Sequence, residues 1–367
     1  MALYISIALF LMFGLIVELK SSRKETVCTL KNSFLKSRNS HTRGQLLFFV
    51  IVIFILWFLT AFRSEEMGND TVTYINYFQY FGKVGMEERN KNIEIGYQFL
   101  NVIIHKISPN PHFFLAVVAT ICYLGVGIYI YKYSSNVVFS TVILFPIVYG
   151  FFASGLRQSI ALVICLFAYQ AIKNKKIIPA ILIVLLASTF HLSALVMLIL
   201  LIHKFTSKRL YVVIGVSAII AILSASGALN SIISNVVKEY ENYFSSIQAG
   251  TGWLAISYQC IRALMIYLFI YFAYKDLKKE KSLEIFNASI LLITICFGFS
   301  TNIFSRASLY FLIPSVVDIP NAMNSGNIKN KKFFIFLICT VMIAYFVLTL
   351  FVRPEWYKMI PYEFFWN

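Results

Sequence analysis

The sequence predicts an all-α, polytopic membrane protein of about twelve transmembrane helices, some of them short. Three observations carry that expectation. Of the 367 residues, 59% are hydrophobic and only 13% are charged, against about a quarter charged in a soluble domain. Apolar runs of about 17 to 25 residues recur along the chain, each able to cross a hydrocarbon layer of about 30 Å. Most of the 32 basic residues gather in short clusters between those runs, the pattern that keeps basic loops in the cytoplasm. The net charge of +16 therefore reads as a topology signal, and no nucleic-acid partner is expected. No segment is long and polar enough to stand as a soluble domain, so residues 1–367 are read as one membrane domain.

The first apolar run, 2–17, lacks a basic leader and a small-residue cleavage site, so it reads as a helix and not a signal peptide. The basic stretch from Lys20 to Arg43 belongs to the cytoplasm, which puts the N-terminus outside. A second helix, 45–62, leads into the polar, acid-rich stretch 63–111, assigned to the outer face with a short amphipathic helix at 93–107. Helices at 112–131 and 137–151 follow. A tight outer turn then carries Ser154, Gly155 and Arg157, and a fifth helix returns to Lys173, Lys175 and Lys176. The run 177–202 reads as two short helices turning near Phe190 and His191. Only that reading leaves both flanking basic clusters, 173–176 and 204–209, in the cytoplasm, and short helices are tolerated where protein surrounds the turn. Helices at 210–228, 253–274, 283–299, 304–322 and 333–352 complete the set. A second outer loop is expected at 229–252, and an aromatic-rich C-terminal tail outside.

The six cysteines, Cys28, Cys122, Cys165, Cys260, Cys296 and Cys339, form no CxxC pair and read as small buried hydrophobes, not metal ligands. No HExxH, Walker A loop or GxSxG occurs, which removes the commonest metalloprotease, nucleotide-hydrolase and serine-hydrolase readings.

Four charges do not belong to topology: Arg157, Arg262, Arg306 and Asp318 lie in or beside apolar runs, where a charge is costly and usually faces an interior cavity. Arg157 and Arg306 sit at outer helix starts. Arg262 lies roughly 13 Å down its helix at 1.5 Å per residue. Three guanidiniums can thus converge on one outward-facing cavity formed with the outer loops. Arginine binds phosphate through a two-pronged fork and stays charged when partly desolvated. The bland reading is that each snorkels to headgroups or pairs with an acid. Asp318, near the inner side, reads as structural.

The stretch 63–111 holds two compact acidic motifs. Gly68-Asn69-Asp70-Thr71 is followed by Tyr74 and Tyr77, and Glu94-Ile95-Gly96-Tyr97 comes later. Acids accept hydroxyl hydrogen bonds and aromatic rings stack on sugar faces, so either carboxylate can serve as a general base on a saccharide. A solvated loop with a helix-capping Asp is the alternative. His191, in Thr189-Phe190-His191-Leu192-Ser193-Ala194, reads either as a hydrogen-bonded packing residue or as a base or phosphate donor.

These segments, in order, resemble the EpsG family of polysaccharide polymerases, related to the Wzy O-antigen and capsule polymerases. Gly68-Asn69-Asp70-Thr71-Val72-Thr73-Tyr74 resembles a G-x-D-x-x-x-Y element, and Glu94-Ile95-Gly96-Tyr97 an E-x-G-Y element. Gly155-Leu156-Arg157-Gln158-Ser159-Ile160-Ala161 resembles R-Q-x-I-A, Phe190-His191-Leu192-Ser193-Ala194-Leu195 resembles F-H-x-S-A, and Ser305-Arg306-Ala307-Ser308-Leu309-Tyr310-Phe311 resembles R-x-x-x-Y-F.

The resemblance implies a glycosyltransferase of the bacterial inner membrane, joining undecaprenyl-pyrophosphate-linked oligosaccharides on the periplasmic face. Both termini would be periplasmic. Asp70, Glu94 and His191 become the catalytic candidates, and Arg157 and Arg306, with Arg262 outside any motif, the pyrophosphate clamp. Tyr74, Tyr97, Gln158 and Tyr310 become sugar contacts. The leaving group is already activated, so no cofactor and no metal is expected. A chain-length regulator and a flippase are the implied protein partners, and the implied product is one of O-antigen, capsule or exopolysaccharide, a choice the resemblance leaves open. The main rival is a flippase for the same lipid-linked sugars, which predicts related halves and charges spread through the depth of the helices. A membrane acyltransferase would need a buried histidine reached from the cytoplasm, and His191 falls on the other side.

Overall fold

The computed structural model describes residues 1–21, 41–87, 90, 92–203, 210–226, 253–274, 281–299, 302–325, 328 and 330–366. The chain is a helical membrane protein, and no strand longer than an isolated bridge occurs among the described residues. The helices are α1 (Ala2–Ser21), α2 (Arg43–Ala61), α3 (Thr71–Val84), α4 (Ile95–Ile107), α5 (Pro111–Tyr133), α6 (Val137–Ser154), α7 (Leu156–Lys173) and α8 (Ile177–Ser188). A 3₁₀ segment (Leu192–Ile202) separates these from α9 (Leu210–Ala225), α10 (Trp253–Tyr274), α11 (Ser282–Phe297), α12 (Asn302–Leu312), α13 (Ser315–Ser325) and α14 (Lys331–Val352). Among the described residues seven helices are long and apolar enough to span a membrane, and α12 with α13 forms a pair, bent by 41°, that passes the same test together. Four shorter apolar helices, α8, the 3₁₀ segment, α9 and α11, account for the other expected spans. The expected loop 229–252 and the clusters at 204–209 and around Lys275–Lys279 lie outside the described residues, as does Cys28.

The centre is α6, which is buried along nearly its whole length. It is surrounded by α1, α2, α5, α7, α13 and α14. Helices apolar on every side belong in a core or in lipid. The outer ones expose large apolar side chains such as Phe13, Leu47, Phe54, Ile178, Ile222 and Phe351, as a lipid-facing surface requires.

Two segments differ from expectation for stated reasons. The stretch 63–111 contains α3 as well as α4. Thr71, Tyr74, Ile75, Phe78 and Phe81 recur at helical spacing and are the buried face of α3, which packs on α4 and stacks Phe78 on Phe114 of α5 at 4.6 Å. The span expected at 304–322 breaks at Ile313-Pro314, because proline cannot donate the helical hydrogen bond. The run 177–202 divides as expected. His191 is extended (φ −157°, ψ 118°), and both halves pack on α7. In the second half Ala194, Met197 and Leu200 are buried. Their period of three is the one a 3₁₀ helix stacks on a single line.

The C-terminal tail folds back over the bundle. Beyond α14, Pro354–Trp356 forms a 3₁₀ turn. The Ser64 and Phe365 amides then donate to Glu363 O (2.9 Å) and Phe62 O (3.2 Å) around an Arg63–Phe364 bridge. Arg63, expected at the start of an outer loop, is buried, with its guanidinium on the Thr60 and Ala153 carbonyls.

Candidate active site

Helix α7 carries Arg157 as its second residue and Lys173 as its last, roughly 24 Å apart along the axis. The two ends of the bundle are distinguished here by these residues. At the arginine end a cavity of about 620 Å³ is lined by Asp70, Tyr74, Arg157, Gln158, His191, Arg262 and Arg306, among others. These residues come from α3, α7, α10, α12 and the break between α8 and the 3₁₀ segment.

Local structure explains each placement. Gly155 alone joins α6 to α7, so Arg157 falls in the first turn of α7. That position opposes the helix dipole. It also adds the guanidinium to helix-terminal amides that favour an anion. Gln158 Nε2 donates to the Arg306 carbonyl at 2.9 Å, which ties α7 to α12 and brings the two arginines to one wall. Gly68 has φ +92°, a conformation that glycine adopts without steric cost, and its amide donates to Lys358 O at 3.2 Å. Gly96 lies against Thr189, whose carbonyl accepts from the Gly96 amide at 2.8 Å, and a Cβ there would collide with the Thr189 hydroxyl. The bare glycine lets the start of α4 dock on the His191 turn.

That docking builds a compact charge network. Glu94 Oε2 accepts from Arg157 Nη1 at 2.6 Å. Its Oε1 is 3.0 Å from His191 Nδ1 and accepts from the Leu192 amide at 3.1 Å. Burial opposes ionisation of Glu94. The His191 hydrogen bond, the Arg157 charge and the backbone donors outweigh it and hold its pKa at about 2. An ionised carboxylate accepts and does not donate, so His191 Nδ1 carries the hydrogen of that bond, and Nε2 is the ring nitrogen left without a bond to Glu94.

Arg157 also lies over the Tyr74 ring, 6.0 Å from its centroid. Its Nε is buried without a hydrogen-bond partner. Arg262, 7% exposed, stands 5.2 Å over the Tyr345 ring. Tyr345 stacks on Tyr258 at 4.1 Å, joining α14 to α10. Among the described residues neither Arg262 nor Arg306 has an ion-pair partner. The wall is therefore cationic in excess, which suits a multiply charged anion.

Asp70 also lines the cavity. It is the N-cap of α3 yet makes no capping hydrogen bond. An aspartate there usually accepts from the helix amides, so its carboxylate remains available to the cavity.

Glu94 stands behind the wall, with both oxygens engaged and its basicity depressed. This makes it an orienting group for Arg157 and His191 more than a proton acceptor. Tyr97 and Tyr310 do not line the cavity. Both are fully buried, Tyr97 edge-on to Tyr74 at 5.9 Å and Tyr310 accepting from Ser193 at 3.2 Å, so their placement offers support in place of the expected direct sugar contact. Burial raises the pKa of Tyr97 far above a tyrosine's usual value. Gln158 does line the cavity, with its amide nitrogen on Arg306. Besides Asn69 of the Gly68-Asn69-Asp70-Thr71 motif, the lining takes in Gln259, Tyr345, Glu355, Trp356 and Tyr357, which the sequence reading did not single out. Only the aromatic richness of the tail signalled any of them. Asp318, read as structural, lies at the lysine end, fully buried. Among the described residues no group of three His, Cys, Asp or Glu side chains is placed to hold a metal.

The profile of the EpsG family matches residues 46–364, most of the chain. No curated protein and no solved structure matches it.

Proposed function

Because the chain belongs to the EpsG family, a family of Wzy-like polysaccharide polymerases, we propose that its cavity joins polyprenyl-pyrophosphate-linked saccharide repeats at the periplasmic face of the inner membrane. The observation that carries this reading is convergence. Elements as distant in sequence as Asp70, Arg157, His191 and Arg306 line one cavity whose positive charge exceeds its negative.

In the proposed reaction an acceptor hydroxyl attacks the anomeric carbon of the donor saccharide. The new C–O bond forms as the bond to pyrophosphate breaks, and the electron pair of that bond leaves on the phosphate oxygen. Arg157, Arg306 and Arg262 neutralise the charge that develops there, which is transition-state stabilisation by fixed charge. His191 Nε2, oriented by Glu94, takes the hydroxyl proton, with Asp70 the other candidate base. The orienting carboxylate keeps the ring in the required tautomer and stabilises the imidazolium that forms, as a carboxylate does for histidine in acyl transfer.

Deletion of the gene followed by gel analysis of surface glycans tests the assignment. The long-chain ladder is expected to disappear while single repeats persist. An unchanged ladder contradicts polymerisation, and repeats stranded on the cytoplasmic leaflet point to a flippase.

A further inference from the structure

The C-terminal tail does more than close the fold. Glu355, Trp356 and Tyr357 line the same cavity as the arginines, and the tail is fastened at points around that lining. Asn69 Nδ2 donates to the Trp356 carbonyl, and the Gly68 amide to Lys358 O. The Tyr4 hydroxyl donates to Met359 O at 2.8 Å, and the Tyr362 hydroxyl to Leu59 O at 2.8 Å. The Tyr357 ring lies flat on α6 at Gly150, where an added Cβ would meet three ring atoms at 3.0 to 3.1 Å. The result is a strap tied to the bundle at several points, with Trp356 partly exposed and lining the cavity.

The lining carries both signs of charge. Its cations are Arg157, Arg262 and Arg306, and its acids are Asp70 and the half-exposed Glu355, whose carboxylate is 3.4 Å from Arg353, with Asn69, Tyr77 and Trp356 also in the lining. A pyrophosphate is drawn to the arginines and repelled by the carboxylates. A hydroxyl-rich group without phosphate suits the acids: carboxylates and an amide oxygen accept its O–H donors, and the Trp356 ring offers a broad apolar face at small entropic cost.

We propose that the strap residues Glu355 and Trp356, with Asn69 and Asp70, form the acceptor-saccharide subsite of the cavity, Trp356 being its stacking platform. This rests on the polymerase reading and adds to it the place where the second saccharide lies. The two lipid-linked substrates then take different parts of the lining, the donor pyrophosphate at the arginines and the acceptor saccharide at the strap, and the acceptor hydroxyl meets the donor's anomeric carbon between them.

The test uses purified full-length protein and the strain's own repeat-unit oligosaccharide, freed from lipid and pyrophosphate by mild acid. Calorimetry measures its binding to wild type and variants. Trp356→Ala is expected to weaken binding about tenfold or more, the scale of one lost aromatic contact. Trp356→Phe, which keeps a ring, is expected to bind within a few-fold of wild type. Arg157→Ala and Arg306→Ala are expected to bind the free saccharide like wild type. Equal affinity of Trp356→Ala and wild type overturns the subsite, as does no binding to wild type at millimolar saccharide. Loss of binding in the arginine variants and not in Trp356→Ala moves the saccharide to the arginines and also overturns it. A ladder lost on deletion together with unaltered binding in Trp356→Ala removes the subsite alone, whereas a ladder that survives deletion removes the polymerase reading.

Discussion

The two ends of α7 handle buried charge in opposite ways. At the lysine end Lys173 contacts Glu284 at 2.9 Å and Asp318 at 3.5 Å, Lys281 stands 3.7 Å from Glu284, and the Tyr169 hydroxyl donates to Asp318 at 2.6 Å. Two carboxylates meet two ammonium groups, and both acids are almost wholly buried. At the arginine end three guanidiniums face a cavity, one of them paired with Glu94, and a buried Arg157 nitrogen has no partner. The lesson is that burial of charge does not by itself mark a binding site. A balanced cluster fixes helices against one another, and an unbalanced one facing open volume is complementary to something absent from the chain.

The comparison can be broken most forcefully at the lysine end. Asp318→Ala leaves Lys173 short of a partner, and removing one member of a buried pair costs about 3–5 kcal/mol. The expected result is a lower melting temperature and less protein in the membrane, with polymer per molecule of surviving protein unchanged. A normal amount of protein with no polymer would make this cluster functional and erase the distinction.

At the arginine end the expected effect falls on activity. Arg157→Ala and Arg306→Ala should each lower polymer formation by about 10²–10³-fold, the scale for removing one charge-stabilising donor, at wild-type abundance. Arg157→Lys should restore little, because an ammonium cannot hold Glu94 and a phosphate in one planar fork. Wild-type ladders in both alanine variants would remove the clamp.

Glu94 gives the smallest effect and the sharpest sign. Its pKa of about 2 lies below the ordinary carboxylate value of about 4.3. A depressed pKa means that its contribution to stability is complete above the ordinary value and is lost as pH falls from there toward 2. Glu94→Gln should therefore melt lower than wild type at neutral pH, with the gap closing in acid. It should also lose roughly ten- to a hundredfold in activity, as residues that orient a catalytic group do. A gap independent of pH would mean that the charge of Glu94 does not hold Arg157 and His191.

Much of this was legible in the sequence. Hydropathy located the apolar segments, because a membrane span must be continuous and apolar, and the division of 177–202 near His191 followed from basic residues on both flanks. Arg157, Arg262 and Arg306 stand out as charges where charges are costly, Asp70, Tyr74 and His191 as acidic, aromatic and histidine positions of the outer segments, and Gln158 only through the family resemblance. Helix α3 was less visible because its apolar face is interrupted by polar positions, although the spacing of Tyr74, Ile75, Phe78 and Phe81 carried the period. The strap was not legible at all. Its pairing joins Arg63 to Phe364, and no local pattern announces a contact made across the length of the chain. The support roles of Tyr97 and Tyr310 were hidden for the same reason, since a tyrosine beside a motif looks alike whether it faces a ligand or braces a wall.

Binding of undecaprenyl pyrophosphate to the purified protein tests the central claim most directly. Measured by thermal shift or calorimetry beside undecaprenol, the pyrophosphate should bind to wild type and the alcohol far more weakly. The preference should vanish in the Arg157→Ala, Arg306→Ala double variant. Equal binding of both lipids to wild type, or an undiminished preference in the double variant, would contradict the assignment of the unbalanced arginine wall to a pyrophosphate.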